Sequence, residues 1–305
     1  MKNLILLLII IAVNLNAQSS VAYLNAPNFE KTTATLTKKV ETSKSFELIG
    51  GMIFIEANVN GKMGTFILDT GAPGVILNEK PMKKSEDLVA GGLNGTVEIG
   101  EVDIENFAWG IINLSNIKGY SLDISHLEES FEKEIAGLIG FNVLSDFELL
   151  FDYENKQVQI LSAHKNELHK NNKPLQKVAF QKQGHLPVIQ AKIGNKKYYF
   201  GIDTGAEVNL LDAAILSTLE DGILQINEST TIQGLDNSSQ LVQTGTIKNT
   251  KIQAANFPEM DYLFVDFSEV NKNREIKIDG LLGFTFLTES KVSINYKKQK
   301  IYFWD

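Results

Sequence analysis

The sequence predicts an all-β protein built as two similar lobes in one chain. Two observations carry that expectation: a duplicated pair of motifs, and strand patterning with little helical period between them. Phe66-Ile67-Leu68-Asp69-Thr70-Gly71-Ala72 returns as Phe200-Gly201-Ile202-Asp203-Thr204-Gly205-Ala206. Downstream, Gly137-Leu138-Ile139-Gly140-Phe141 returns as Gly280-Leu281-Leu282-Gly283-Phe284. From those glycines the two halves align without a gap through FNVLSDFELLFDYENKQVQIL and FTFLTESKVSINYKKQKIYFW. A lone DTG arises by chance in roughly one chain of fifteen of this length. Two DTGA copies, each behind an apolar strand and each followed by the same glycine block, indicate a duplicated unit.

The elements follow in order. Met52 to Val59 is an apolar run, Asn60-Gly61-Lys62 reads as a turn, and Thr65 to Leu68 is a second run. The second half repeats this as Leu186 to Ile193, Gly194-Asn195-Lys196 and Tyr198 to Phe200. Short apolar runs joined by Gly/Asn turns are hairpin signals. Helical pattern is confined to short pieces after each glycine block, around Asp212 to Leu219, and over His126 to Glu134. No alternation of strand and helix appears, so a parallel α/β sheet is not expected. Trp109 and Trp304, near strand patterns, read as packing residues.

The chain divides into a first lobe over residues 45–163, a linker over 164–173 and a second lobe over 174–305. The linker, His164 to Lys173, is polar and without apolar period. His164 and His169 flank Glu167 in the order H-x-x-E-x-H, which matches neither H-E-x-x-H nor H-x-x-E-H, so a solvated linker is expected there rather than a metal site. At the amino terminus, Met1-Lys2-Asn3 precedes the apolar run Leu4 to Val13, and small or polar residues follow to Ala17. This is the pattern of a signal peptide over residues 1–17, too short to span a bilayer as a helix. Export to the periplasm or the medium is therefore expected, without stable membrane insertion once the signal is removed. Residues 18–44 form a lead-in that reads equally as a flexible segment, an added strand or a pro-segment.

Composition narrows the function classes. Of 305 residues, 43% are hydrophobic and 22% charged, as in ordinary globular proteins. The formal net charge of -8 argues against a nucleic-acid partner, because phosphate binding calls for a basic surface. The chain has no cysteine, which excludes disulfides, a thiol nucleophile and thiolate metal ligands. No serine stands in a G-x-S-x-G context and no phosphate-cradling glycine loop is present.

Each duplicated Asp stands where an apolar strand ends. The glycine two residues on permits a tight turn that brings backbone N–H groups to the carboxylate. The Thr70 and Thr204 hydroxyls can bond across to the opposite loop. If the halves pack about a pseudo-twofold axis, Asp69 faces Asp203, and two carboxylates so close share a proton. Such a pair can draw a proton from water with one carboxylate and donate to a peptide carbonyl with the other. Two aspartates merely capping turns would preserve the same motifs without chemistry.

The paired h-h-D-T-G-A loops with their downstream h-h-G blocks resemble the aspartic peptidases. Within them the chain is similar to the retropepsin-like bacterial aspartyl peptidases, with two lobes in one chain as in the pepsin-like enzymes. The resemblance covers nearly the whole mature chain. It implies two pseudo-symmetric acid-protease-type β-barrel lobes with a central cleft, and an aspartic endopeptidase acting as a monomer on peptide or unfolded protein without cofactor or metal. It implies that Asp69 and Asp203 are catalytic, that Thr70 and Thr204 form the lattice beneath them, and that Gly71, Ala72, Gly205 and Ala206 shape the loops. Gly140 and Gly283 would let the chain pass closely against the Asp loops. Pepsin-like enzymes carry Ser where this chain has Ala72 and Ala206, which removes a possible donor to the pair and places the expected optimum nearer pH 5–7 than pH 2–3. Pro73 and Glu207 depart from the usual following residues. Hairpins over the cleft are expected at Ala90 to Gly100 and Thr231 to Leu241, and ordinary surface hairpins fit these segments equally. Two alternatives stay open: a catalytically silent peptide-binding protein that retains the cleft, and a self-processing enzyme that removes residues 19–44.

Overall fold

The structure, a computed structural model, describes residues 5–6, 41–81, 89–91, 96–234, 236–271, 274 and 276–305. Of the expected signal peptide it describes only Ile5–Leu6, a short strand parallel to Leu224–Gln233. The rest of that segment, most of the lead-in, and Gly92 to Gly95 of the first hairpin lie outside the described residues.

Each half folds into a six-stranded sheet that closes on itself. In the first lobe the ring runs Met52–Val59, Lys62–Leu68, Gly137–Ile139, Ile76–Asn78, Ile112–Leu122 and Gly100–Trp109. It closes where Asn58 and Val59 pair with Ala108 and Phe107. The second lobe repeats the path through Leu186–Ile193, Lys196–Ile202, Gly280–Leu282, Leu210–Asp212, Ala255–Val265 and Ser239–Ile252. Its closure is Lys192 and Ile193 on Lys251 and Thr250. The expected all-β architecture of two barrel lobes is what the chain adopts.

In each lobe the short strand of the glycine block lies parallel to the strand that delivers the Asp. Gly137–Ile139 pairs with Phe66 to Leu68, and Gly280–Leu282 with Phe200 to Ile202. Neither strand has a solvent face, which is why both read as continuous apolar runs rather than alternations. Helices then turn away over Phe141–Leu144 and Phe284–Leu287. Two further short helices, Ser125–Phe131 and the 3₁₀ turn Ala213–Thr218, fall where helical pattern was expected, while Ser268–Asn271 is helical where none was.

A third, wholly antiparallel sheet joins the lobes. Its order is Gln176–Ala179, Lys300–Trp304, Lys291–Asn295, Phe147–Asp152, Gln157–Ser162 and Thr42–Ser45, three strands from each side of the duplication. The central pair, Phe147–Asp152 with Lys291–Asn295, is built from equivalent segments of the two halves. One apolar core therefore runs unbroken from Phe66 and Phe107 in the first barrel, through Phe151 and Ile294, to Phe200 and Tyr262 in the second.

The linker departs from expectation. Glu167–Asn171 is a short helix, and the Asn166 side chain caps it by accepting from His169 N. His169 is only partly exposed. Its Nε2 stands 2.7 Å from Glu148 Oε1, and its ring packs edgewise on Tyr302 and Trp304. Glu148 is fully buried, and it also accepts from Ser293 Oγ at 2.7 Å and Asn295 Nδ2 at 2.8 Å. A buried carboxylate needs such partners. The polar composition of the linker hid a docking contact made by one residue, which no periodicity could reveal.

Candidate active site

Asp69 and Asp203 each sit at the end of a barrel strand, on a loop that turns back at once under its own glycine. Both are buried, at 3% and 0% exposure. The first loop donates Gly71 N–H and Ala72 N–H to Asp69 Oδ1, at 2.7 and 3.1 Å. The second donates Gly205 N–H to Asp203 Oδ1 at 2.8 Å. Gly71 N–H also reaches across the lobes to Asp203 Oδ1 at 3.2 Å, so one amide serves both carboxyls.

Glycine is required at both turns by the opposite lobe. A Cβ on Gly71 would stand 2.5 Å from Asp203 Oδ2, and one on Gly205 would stand 2.5 Å from Asp69 Oδ1. Behind them the glycine blocks press on the alanines: a Cβ on Gly140 would lie 2.2 Å from the Ala72 carbonyl oxygen, and one on Gly283 2.3 Å from that of Ala206. Phe141 N and Phe284 N donate to those same carbonyls.

The threonines knit the loops together. Thr70 N–H donates to Thr204 Oγ1 and Thr204 N–H to Thr70 Oγ1, each at 3.0 Å. The Thr204 hydroxyl in turn donates to the Leu68 carbonyl at 2.8 Å, and that of Thr70 to the Ile202 carbonyl at 3.4 Å. Each hydroxyl thus both accepts from and donates to the backbone of the opposite lobe, which fixes the separation of the two aspartates.

This environment raises both carboxyls above the ordinary range. For Asp69 the largest cause is burial, followed by the charge of Asp203 and a hydrogen bond between the two groups. For Asp203 it is again burial, opposed by the Gly205 and Gly71 amides. Such a pair takes up its protons jointly and belongs to neither residue alone. Asp203 Oδ2 is buried and has no partner among the described residues.

Several neighbours were not legible beforehand. Phe141 stacks edge-on to Tyr296 at 5.1 Å, and Phe284 to Tyr153 at 5.6 Å, each pair crossing between the lobes. The alignment marks all four as equivalent residues, yet nothing in it says that they cross. Asn209, buried, accepts from Gly283 N–H at 3.1 Å and ties the second Asp loop to its glycine block. Glu207, half-buried, lies across from Gly51 of the first lobe. His185 directly precedes Leu186–Ile193, and its ring reaches the first Asp loop: Nε2 stands 2.6 Å from the Gly71 carbonyl oxygen. The two hairpin segments are hairpins: Val89–Gly91 pairs with Thr96–Glu98, and Leu224–Gln233 with Ser239–Ile252.

A family model described as aspartyl protease matches residues 55–143 and, again, 189–286. No curated protein matches the chain. The two matches fall one in each lobe, each holding one DTGA loop and its glycine block, and together they take in more than half of the sequence. The chain belongs to the aspartyl protease family, as a retropepsin-like member with both lobes in a single chain.

Proposed function

We propose that this protein is an aspartic endopeptidase that hydrolyses peptide bonds with a water activated by Asp69 and Asp203. The observation that carries the reading is the carboxyl pair itself: two buried aspartates from equivalent loops, close enough that the charge of Asp203 helps raise Asp69, with the Gly71 amide shared between them. In the singly protonated pair one carboxylate takes a proton from water as it attacks the scissile carbonyl. The partner donates its proton to the carbonyl oxygen, and the leaving nitrogen is protonated as the tetrahedral intermediate collapses. The chemistry needs neither a metal nor a covalent intermediate.

The crossed threonine bonds support this by holding the carboxyls at fixed separation before substrate arrives, which is how a site contributes orientation in advance. An extended peptide or an unfolded protein segment is the substrate class that a cleft between two barrels admits. The enzyme works as a monomer, because both aspartates come from one chain. The signal-like amino-terminal pattern supports a site of action outside the cytoplasm.

The pH profile follows from the raised pair. Singly protonated pairs exist between the two apparent pKa values, and raising both moves the window upward. Maximal cleavage is expected between pH 5 and 7. The test incubates the purified protein with an unfolded protein across pH 3–8, with and without a statine-type transition-state analogue. Inhibitor-sensitive cleavage peaking in that range supports the reading. An optimum below pH 3.5 refutes the raised pair, and cleavage indifferent to the inhibitor refutes the dyad.

A further inference from the structure

The two lobes differ at a hairpin turn beside the dyad. The hairpin turn Gly50-Gly51 of the first lobe corresponds to Gly184-His185 of the second. Gly184 has a φ of +67°, which makes the tight turn and leaves His185 at its far corner, between Gln183 and Leu186. From there the ring crosses to the first lobe. A carbonyl can only accept, so Nε2 carries the hydrogen and donates to the Gly71 oxygen at 2.6 Å. Gly51 has no side chain with which to make the reciprocal bond.

The Gly71 carbonyl is one end of the Gly71–Ala72 peptide, and the other end is the Ala72 N–H. That N–H donates to Asp69 Oδ1 at 3.1 Å, while Gly71 N–H donates to Asp69 and Asp203. A donor on the carbonyl fixes the plane of the peptide and polarises its N–H. A chain of hydrogen bonds therefore runs from His185 through one peptide to one carboxyl.

The turn is itself anchored. Arg274 donates Nη1–H to the Gln183 carbonyl at 3.3 Å and Nε–H to that of Val270 at 2.7 Å. Burial, and secondarily the Arg274 charge, keep the His185 imidazole neutral down to about pH 4. The bond to Gly71 thus persists across the range in which the dyad works.

We propose that His185 is a positioning residue for the dyad: from the second lobe it holds the Gly71–Ala72 peptide so that its one N–H, that of Ala72, points at Asp69 and favours the ionised form of that carboxyl. The proposal rests on the dyad reading, so its test includes a measurement that does not depend on cleavage.

The purified wild-type protein is compared with His185→Ala and with His185→Gln, whose side-chain amide can donate to the same carbonyl. Cleavage kinetics and the carboxyl ¹³C titration of labelled aspartates are recorded for each, with Asp69→Asn and Asp203→Asn used for assignment. In His185→Ala, kcat is expected to fall on the order of tenfold with KM within about twofold. The Asp69 titration, and the limb of the profile that it governs, should both move to higher pH, because the Ala72 donor to its charged form is no longer held in place. His185→Gln should restore both. Folded His185→Ala with an unchanged Asp69 titration and pH profile overturns the proposal, whatever its melting temperature, and so does a His185→Gln variant that behaves no better than alanine. A titration that moves and is restored, in a wild-type protein that cleaves nothing, keeps the positioning role and sinks the dyad's catalytic role instead.

Discussion

At the scale of single residues the aspartates conflict with folding stability, and the sign of that conflict can be worked out. Both carboxyls are raised in the folded protein, chiefly by burial. A folded state that binds protons more tightly than the unfolded one loses stability as pH rises. The penalty is absent below the unfolded value near 3.8 and grows as pH climbs through the folded values. Asp69→Asn or Asp203→Asn should therefore stabilise the protein at pH 7, by about 1–3 kcal/mol, and the gain should vanish near pH 3. Thermal melts of the variants against pH check this. A destabilised Asn variant at pH 7 would show that the loop amides, rather than burial, dominate the carboxyl environment. His185 has the opposite sign, since its depressed titration withdraws stability as pH falls below about 6.5 toward 4.

At the scale of elements, each half is a strand, a DTGA loop and a glycine strand laid against it. The glycine blocks are the tightest part of this unit. Gly140→Ala would drive a Cβ to 2.2 Å from the Ala72 oxygen, backbone that cannot swing aside as a side chain can. A loss of about 3 kcal/mol or more is expected, measured by denaturant unfolding, together with reduced cleavage as the Asp69 loop is displaced. Full stability in Gly140→Ala would mean that the loop gives way freely. The threonine lattice tests differently. Thr70→Val removes one hydroxyl and leaves Thr204 N–H buried without its acceptor, for a cost of about 1–3 kcal/mol. Much of this was legible in the sequence: the strands, the loops, both short helices and the role of the glycines follow from repeated apolar runs and two repeated motifs. The crossing of the Thr hydroxyls was legible as a possibility, because a duplicated loop on a twofold axis meets its own copy. The His185 contact was not, since it is made by a residue whose equivalent in the first lobe is glycine, and a repeat conceals whatever its two copies do not share.

For the whole molecule, the sheet between the lobes is what makes two barrels one protein, and at its centre is a buried carboxyl group. Glu148 is bound by His169, Ser293, Asn295 and, at 3.3 Å, Asn166. Glu148→Ala would strand four polar groups at once and is expected to cost about 3–5 kcal/mol. Equilibrium unfolding measures it, and a loss under 1 kcal/mol would show that these groups find water instead. None of this network was readable in the chain, because its partners lie on separate strands and in a stretch whose composition reads as linker. The lobes themselves were readable, because duplication writes the same pattern twice. What the sheet achieves functionally is to hold the two Asp loops in mutual contact, so that the pair exists before any substrate does. The most direct measurement is cleavage of an unfolded protein at the wild-type optimum by the wild-type protein and by Asp69→Asn and Asp203→Asn, each shown to be folded by circular dichroism. If the two carboxyls act as one catalytic unit, each variant alone loses at least about 10³-fold in rate. Either folded variant cleaving at a rate near wild type, or a folded wild-type protein that cleaves nothing between pH 3 and 8, contradicts the account.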